Sequence, residues 1–231
     1  MSSPATTVVE RLAEAFEPHR DEARARQMRA YMRDQFPFLG IMKTERVRLS
    51  RAALAGLRRP SERDVDEVAI GCWERDEREY QYAGIWYVRR NASVLGPGFL
   101  ATAKRLITTK SWWDTVDDLA ANVVGGLIAR HQELASTMDG WIGSKNLWLS
   151  RSALIHQLRY RAETDADRLF AYCLRRAGDT DFFIRKAIGW ALREYTKTDA
   201  EAVVGFLREN AEALSGLSRN EAVKWLNASR A

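Results

Sequence analysis

The 231 residues are 46% hydrophobic and 29% charged, which excludes a disordered chain and suits one large domain or a compact repeat array. A formal charge of +5 raises nucleic acid as a partner without selecting it, because the placement of charge matters more than its sum. The opening MSSPATTVVERLAEAF has no apolar signal core and no stretch approaches membrane-spanning length, so the expectation is a soluble cytoplasmic protein with no membrane partner. In chain order, Pro37 and Gly40 fix a turn in YMRDQFPFLGIMK, and residues up to about 42 read as an N-terminal helical cap. Thr44 then precedes ERVRLSRAALAGL and Ser61 precedes ERDVDEVAIGCW, both Ser/Thr helix starts. Further on, Thr164 is followed by DADRLFAYCLRR and a Gly178 stop, and Asp179–Asp181 opens FFIRKAIGWALREY. No proline follows Pro97, and no alternating apolar run signals a strand.

The helices repeat. EREYQYAGIWYVRR, SWWDTVDDLAANVV, NLWLSRSALIHQL and DFFIRKAIGWAL start at Glu77, Ser111, Asn146 and Asp181, roughly 35 residues apart. Two helices per unit at that period predict an all-α, right-handed helical-repeat solenoid with compact HEAT-like units, a single domain over 1–231 with repeated pairs over about 43–231. Asp117, Arg151 and Arg185 follow one another at 34 residues, so they should stack along one strip of the inner, concave face. A basic concave face holding a polyanion around one carboxylate fits that strip; ordinary solvated ion pairs fit it too.

Several side chains are candidates for chemistry. Trp113 and Asp117 lie one helical turn apart and share a face, while Trp112 points about 100° away toward the core. Trp190 follows Arg185 by five residues on its own helix, so two indoles and a carboxylate can address one cationic ligand. Packed core is the competing reading for each Trp. His156 reads as structural, and Cys72 and Cys173 as buried free thiols. Lys43, Arg46 and Arg48 offer phosphate-binding charge near Tyr31. A Gly-rich phosphate loop, zinc spacing, a nucleophile elbow and a dinucleotide fingerprint are all missing, which argues against a metal or an organic cofactor.

The strings YMRDQFPFLGI, WERDEREYQYAGIWYVRR, LITTKSWWDTVDDLA, SKNLWLSRSALIHQLRYR and DFFIRKAIGWALREYTKT together resemble the DNA alkylation repair proteins of the AlkD type, from about Tyr31 to Ser218. The resemblance implies a monofunctional DNA glycosylase of base excision repair. It would hydrolyse the N-glycosidic bond of cationic N3- or N7-alkylated purines, 3-methyladenine and 7-methylguanine, in double-stranded DNA without conventional base flipping. It implies Asp117 as catalytic carboxylate, Trp113 and Trp190 as aromatic walls, and Arg151 and Tyr31 as DNA contacts; beside them, Lys43, Arg46, Arg185 and Lys186 are candidate cationic contacts by their charge. Met42 departs from the family pattern, standing where a glutamine is expected, and puts one polar DNA contact in doubt. The implied enzyme needs no cofactor and no obligate protein partner and works as a monomer. A non-catalytic repeat protein binding damaged or branched DNA, or a protein-interaction scaffold, are the alternatives.

Overall fold

The computed structural model describes residues 4–228, and every regular element among them is helical. The helices pack as two compact units that divide between Lys110 and Ser111.

The first unit contains α1 (Pro4–Phe16), α2 (Glu22–Tyr31), α3 (Lys43–Ala53), α4 (Glu62–Glu74), α5 (Arg78–Arg90) and α6 (Phe99–Thr108). Helix α4 starts where Ser61 indicates: Ser61 and Asp64 form a reciprocal capping box, which satisfies two amides that the helix itself cannot. Val65, Val68, Ala69 and Cys72 then recur at helical spacing and are buried. The α4–α5 approach is close enough that a Cβ on Gly84 would sit 2.9 Å from the Cys72 Cβ. Trp73 ties α4 to α6 by donating its indole N–H to the carbonyls of Leu106 and Thr109, at 3.1 and 3.0 Å. Thr44 does not cap α3. The helix begins two residues earlier than that cap would place it, at Lys43, with Met42 in the cap position and no side-chain cap. The chain turns at Gly40, whose φ is +90°, and is already extended at Met42, so it enters the helix before Thr44 is reached.

The second unit contains α7 (Trp113–Asp118), α8 (Gly125–Arg130), α9 (Ala135–Ile142), α10 (Leu147–Ile155), α11 (Ala166–Arg175), α12 (Phe182–Thr196), α13 (Ala200–Glu209), α14 (Gly216–Ala222) and α15 (Lys224–Ala228). Between α7 and α8, Leu119–Val124 is wound as a π-helix, and the flanking Asp118 and Gly125 keep helical backbone angles, so α7 runs on into α8. Asn146 and Asp181 cap α10 and α12 through their side chains, as the sequence pattern predicts. The cap of α11 is Asp165 instead of Thr164: its carboxylate accepts the Arg168 N–H, and its own N–H is held by Gln157 Oε1. Helix α10 packs against both α7 and α12, so successive repeats lie side by side.

The repeat is written into the hydrogen bonds. Side-chain bonds recur between residues about one period apart inside each unit, among them Gly96 to Glu62 and Trp73 to Leu106 in the first. In the second unit they join Asp117 to Arg151, Gly125 to Tyr160, Asp139 to Tyr172 and Arg185 to Ser218. Among the described residues no helix is long and apolar enough to cross a membrane.

Candidate functional site

Trp112 is the N-terminal boundary of α7, in extended conformation, and its carbonyl accepts the Val116 N–H at 3.0 Å. The Trp112 ring meets Trp148 and Phe183 with centroids 5.9 and 5.2 Å away, and those two rings lie 5.1 Å apart. Each of these aromatics comes from the start of a different repeat helix, α7, α10 or α12. The three clasp the helix ends together, in the tilted and edge-on arrangements that aromatic quadrupoles favour.

Asp117 sits one turn after Trp113, at the end of α7. Arg151 on α10 meets it as a fork: Nε donates to Oδ1 at 2.7 Å and Nη2 to Oδ2 at 2.6 Å. The remaining Arg151 nitrogen, Nη1, donates to the backbone carbonyl of Phe183 at the start of α12. One guanidinium therefore joins three successive repeats. The Arg151 side chain is 5% exposed and that of Asp117 is 14% exposed, so the pair is shielded but Asp117 keeps an accessible edge. Burial raises the Asp117 carboxyl above its ordinary range, Arg151 pulls it down, and neighbouring Asp114 and Asp118 add a smaller upward push. Both oxygens accept N–H bonds from the guanidinium, the bidentate geometry of an arginine–carboxylate pair. The result is a shielded carboxylate held in one orientation.

Trp113 and Trp190 are half-buried, the latter two turns beyond Phe183 on α12. Arg185 is also half-buried and donates Nε to the Asp179 carbonyl at 2.7 Å. Lys186 pairs with Glu221 of α14, a carboxylate shared with Arg193 and Lys224. Burial pushes Glu221 up, but its three cationic partners outweigh that and bring it down to about 2. His156 is buried, its Nδ1 lies 2.7 Å from the Ala153 carbonyl, and burial lowers its pKa to about 4; it packs against Tyr160 and Tyr172 as a structural side chain. Cys72 and Cys173 are buried free thiols, and burial pushes Cys72 up to about 12.

The other candidates belong to the first unit. Tyr31 ends α2 at 71% exposure, Met42 precedes α3 at 54%, and Lys43 is exposed beside it. Arg46 lies one turn into α3 with its guanidinium 4.5 Å from the Tyr82 ring centre. Among the described residues no group of three or more His, Cys, Asp or Glu is placed to hold a metal ion.

Three features of the second unit are absent from the sequence reading: the Phe183 carbonyl as an arginine acceptor, the Trp112–Trp148–Phe183 cluster and the π-helical winding after Asp118. The aromatic cluster did carry a signal, because its members recur at about the repeat period, as Asp117 and Arg151 do.

An all-helical repeat with a carboxylate and an arginine paired across neighbouring repeats defines the class of molecule. The chain belongs to the DNA alkylation repair enzyme family, whose model matches residues 12–226. It is also similar to a solved structure described as a predicted DNA alkylation repair enzyme from Enterococcus faecalis. That structure is 32% identical, with a TM-score of 0.83 over 90% of this chain and 96% of the other. No curated protein matches the chain.

Proposed function

We propose that the protein is a monofunctional DNA glycosylase that releases cationic N3- and N7-alkylpurines from duplex DNA, with Asp117 as its electrostatic catalyst. The observation that carries this reading is the Asp117–Arg151 fork, which keeps a carboxylate ionised, aimed and only 14% exposed one turn from an indole. An alkylated purine already bears positive charge, so it leaves without protonation. The C1′–N bond breaks with its electron pair going to the purine, which becomes neutral, while positive charge develops on the sugar. Asp117 stabilises that charge from a shielded position, where charge interactions are stronger than in water. Trp113 and Trp190 turn electron-rich faces toward the same cation. Water then adds to C1′ and loses a proton to solvent, leaving an abasic site and free base. A single carboxylate suffices because no general acid is required, unlike glycoside hydrolysis.

Arg151 has two roles in this reading. Three of its five N–H groups are spent on Asp117 and Phe183, and the remaining two serve a DNA phosphate. Tyr31, Met42, Lys43, Arg46, Arg185 and Lys186 supply further contacts to the duplex, Lys186 with the donors that Glu221 leaves. The protein acts as a monomer in the cytoplasm. The test is incubation with duplex DNA carrying 7-methylguanine or 3-methyladenine and chromatography of the released base. Base release by the wild-type protein, sharply slowed in Asp117→Asn at nearly unchanged DNA affinity, is expected; equal rates in the two proteins would contradict the proposal.

A further inference from the structure

Glu79 is fully buried near the start of α5, and its carboxylate serves a turn forty residues earlier. Oε2 accepts the Leu39 N–H at 2.9 Å, and Oε1 accepts those of Gly40 and Ile41 at 2.9 and 3.1 Å. Three consecutive amides converge on one anion only where the chain turns sharply, and Gly40 supplies that turn with a φ of +90°. A Cβ there would lie 2.2 Å from the Asp21 carbonyl oxygen, so the turn is closed from the other side by the start of α2. The Asp21 N–H also donates to the Leu39 carbonyl at 2.8 Å. Arg78 completes the grip: its N–H donates to the Pro37 carbonyl at 2.9 Å, and its guanidinium lies 3.8 Å from the Phe36 ring centre. The segment Phe36–Ile41 is thus fixed along its length, and the next two residues are Met42 and Lys43, both exposed.

A buried carboxylate spent on a loop is a costly way to stabilise a loop alone. Immobilising the start of α3 before a ligand arrives removes the entropy cost of ordering it on binding. We infer that Glu79 is a positioning residue that pins the Leu39–Ile41 turn and so presents Lys43 in a fixed place to a phosphate of duplex DNA. The inference rests on the proposed DNA contact of Lys43.

The experiment is a double-mutant cycle on affinity for a labelled undamaged duplex, read by fluorescence anisotropy with wild type, Glu79→Gln, Lys43→Ala and the double variant. Lys43→Ala is expected to weaken binding about fivefold in the wild-type background and less than about twofold when Glu79 is already Gln. Equal losses in both backgrounds would overturn the role of Glu79. Loss of stability alone produces no such coupling, since binding is read on folded protein. A second measurement needs no variant: in the free wild-type protein, the Leu39, Gly40 and Ile41 amides should exchange hydrogen as slowly as those of α5, and exchange at open-loop rates would also overturn the inference. A wild-type protein that fails to bind duplex DNA contradicts the proposed function itself, whereas binding with additive losses contradicts only the inference.

Discussion

Arg151 holds three successive repeat helices together, because its three nitrogens answer groups on α7 and α12 from its own place on α10. Removing one partner of a buried pair leaves the other charge without compensation. Arg151→Met should therefore cost about 3–5 kcal/mol in urea unfolding, far more than breaking an exposed pair such as Arg63–Glu67. Arg151→Lys keeps the charge but not the fork, and should slow base release while restoring part of the stability. His156 gives a pH prediction. Its folded pKa, about 4, lies below the ordinary 6.5, so between those values the unfolded chain binds the extra proton. Stability is unaffected above about pH 6.5 and falls on acidification by about 3 kcal/mol by pH 4. A His156→Gln variant, compared by urea unfolding across that range, should lack this component. The spacing of Asp117 and Arg151 was legible in the sequence as a shared strip, whereas their bidentate closure was not. The third partner of Arg151 is a backbone carbonyl, and every residue has one, so no side-chain pattern can announce it. The buried state of Glu79 was equally hidden, since a glutamate in REYQYAGIWYVRR reads as solvent-facing until the Leu39–Ile41 amides are seen to converge on it.

The repeat helices were readable as elements because Ser61, Asn146 and Asp181 cap them through their own side chains. Boundaries slipped where tertiary contacts set the entry, at Lys43 through the Gly40 turn and at Asp165 through Gln157. The π-helix Leu119–Val124 has no composition signature in LAANVV, an ordinary apolar run. It matters because each π turn takes in one more residue than an α turn, which resets the faces presented before and after it. Before it, Asp117 meets Arg151 of α10, and after it Leu127 and Ile128 are buried. Gly125 lies at its end under the His156 carbonyl, where a Cβ would come within 2.1 Å of oxygen, and accepts the Tyr160 hydroxyl at 2.7 Å. Deleting Ala121 should convert the segment to α-helix with α7 and α8 kept nearly in register, because the π turn holds one residue more than the α turn that replaces it; circular dichroism should then show helix content retained.

At the scale of the whole molecule, membership of the DNA alkylation repair enzyme family and a formal charge of +5 point to a partner whose charge is spread along a strand. If Lys43, Arg46, Arg151, Arg185 and Lys186 each neutralise one phosphate, the affinity for duplex DNA should fall with a log–log slope near −4.5, about 500-fold between 50 and 200 mM salt. Asp117→Asn should keep that slope, because it removes no cation. In the proposed mechanism, the role of Asp117 is to act on the breaking bond and not on the binding of DNA. It is tested most directly by single-turnover release of 7-methylguanine from duplex DNA, with protein in excess at saturating concentration. The wild type should release the base, and Asp117→Asn should release it at least about 10²-fold more slowly with an unchanged dissociation constant; a variant that releases the base as fast as the wild type, or loses activity only by losing affinity, contradicts the account.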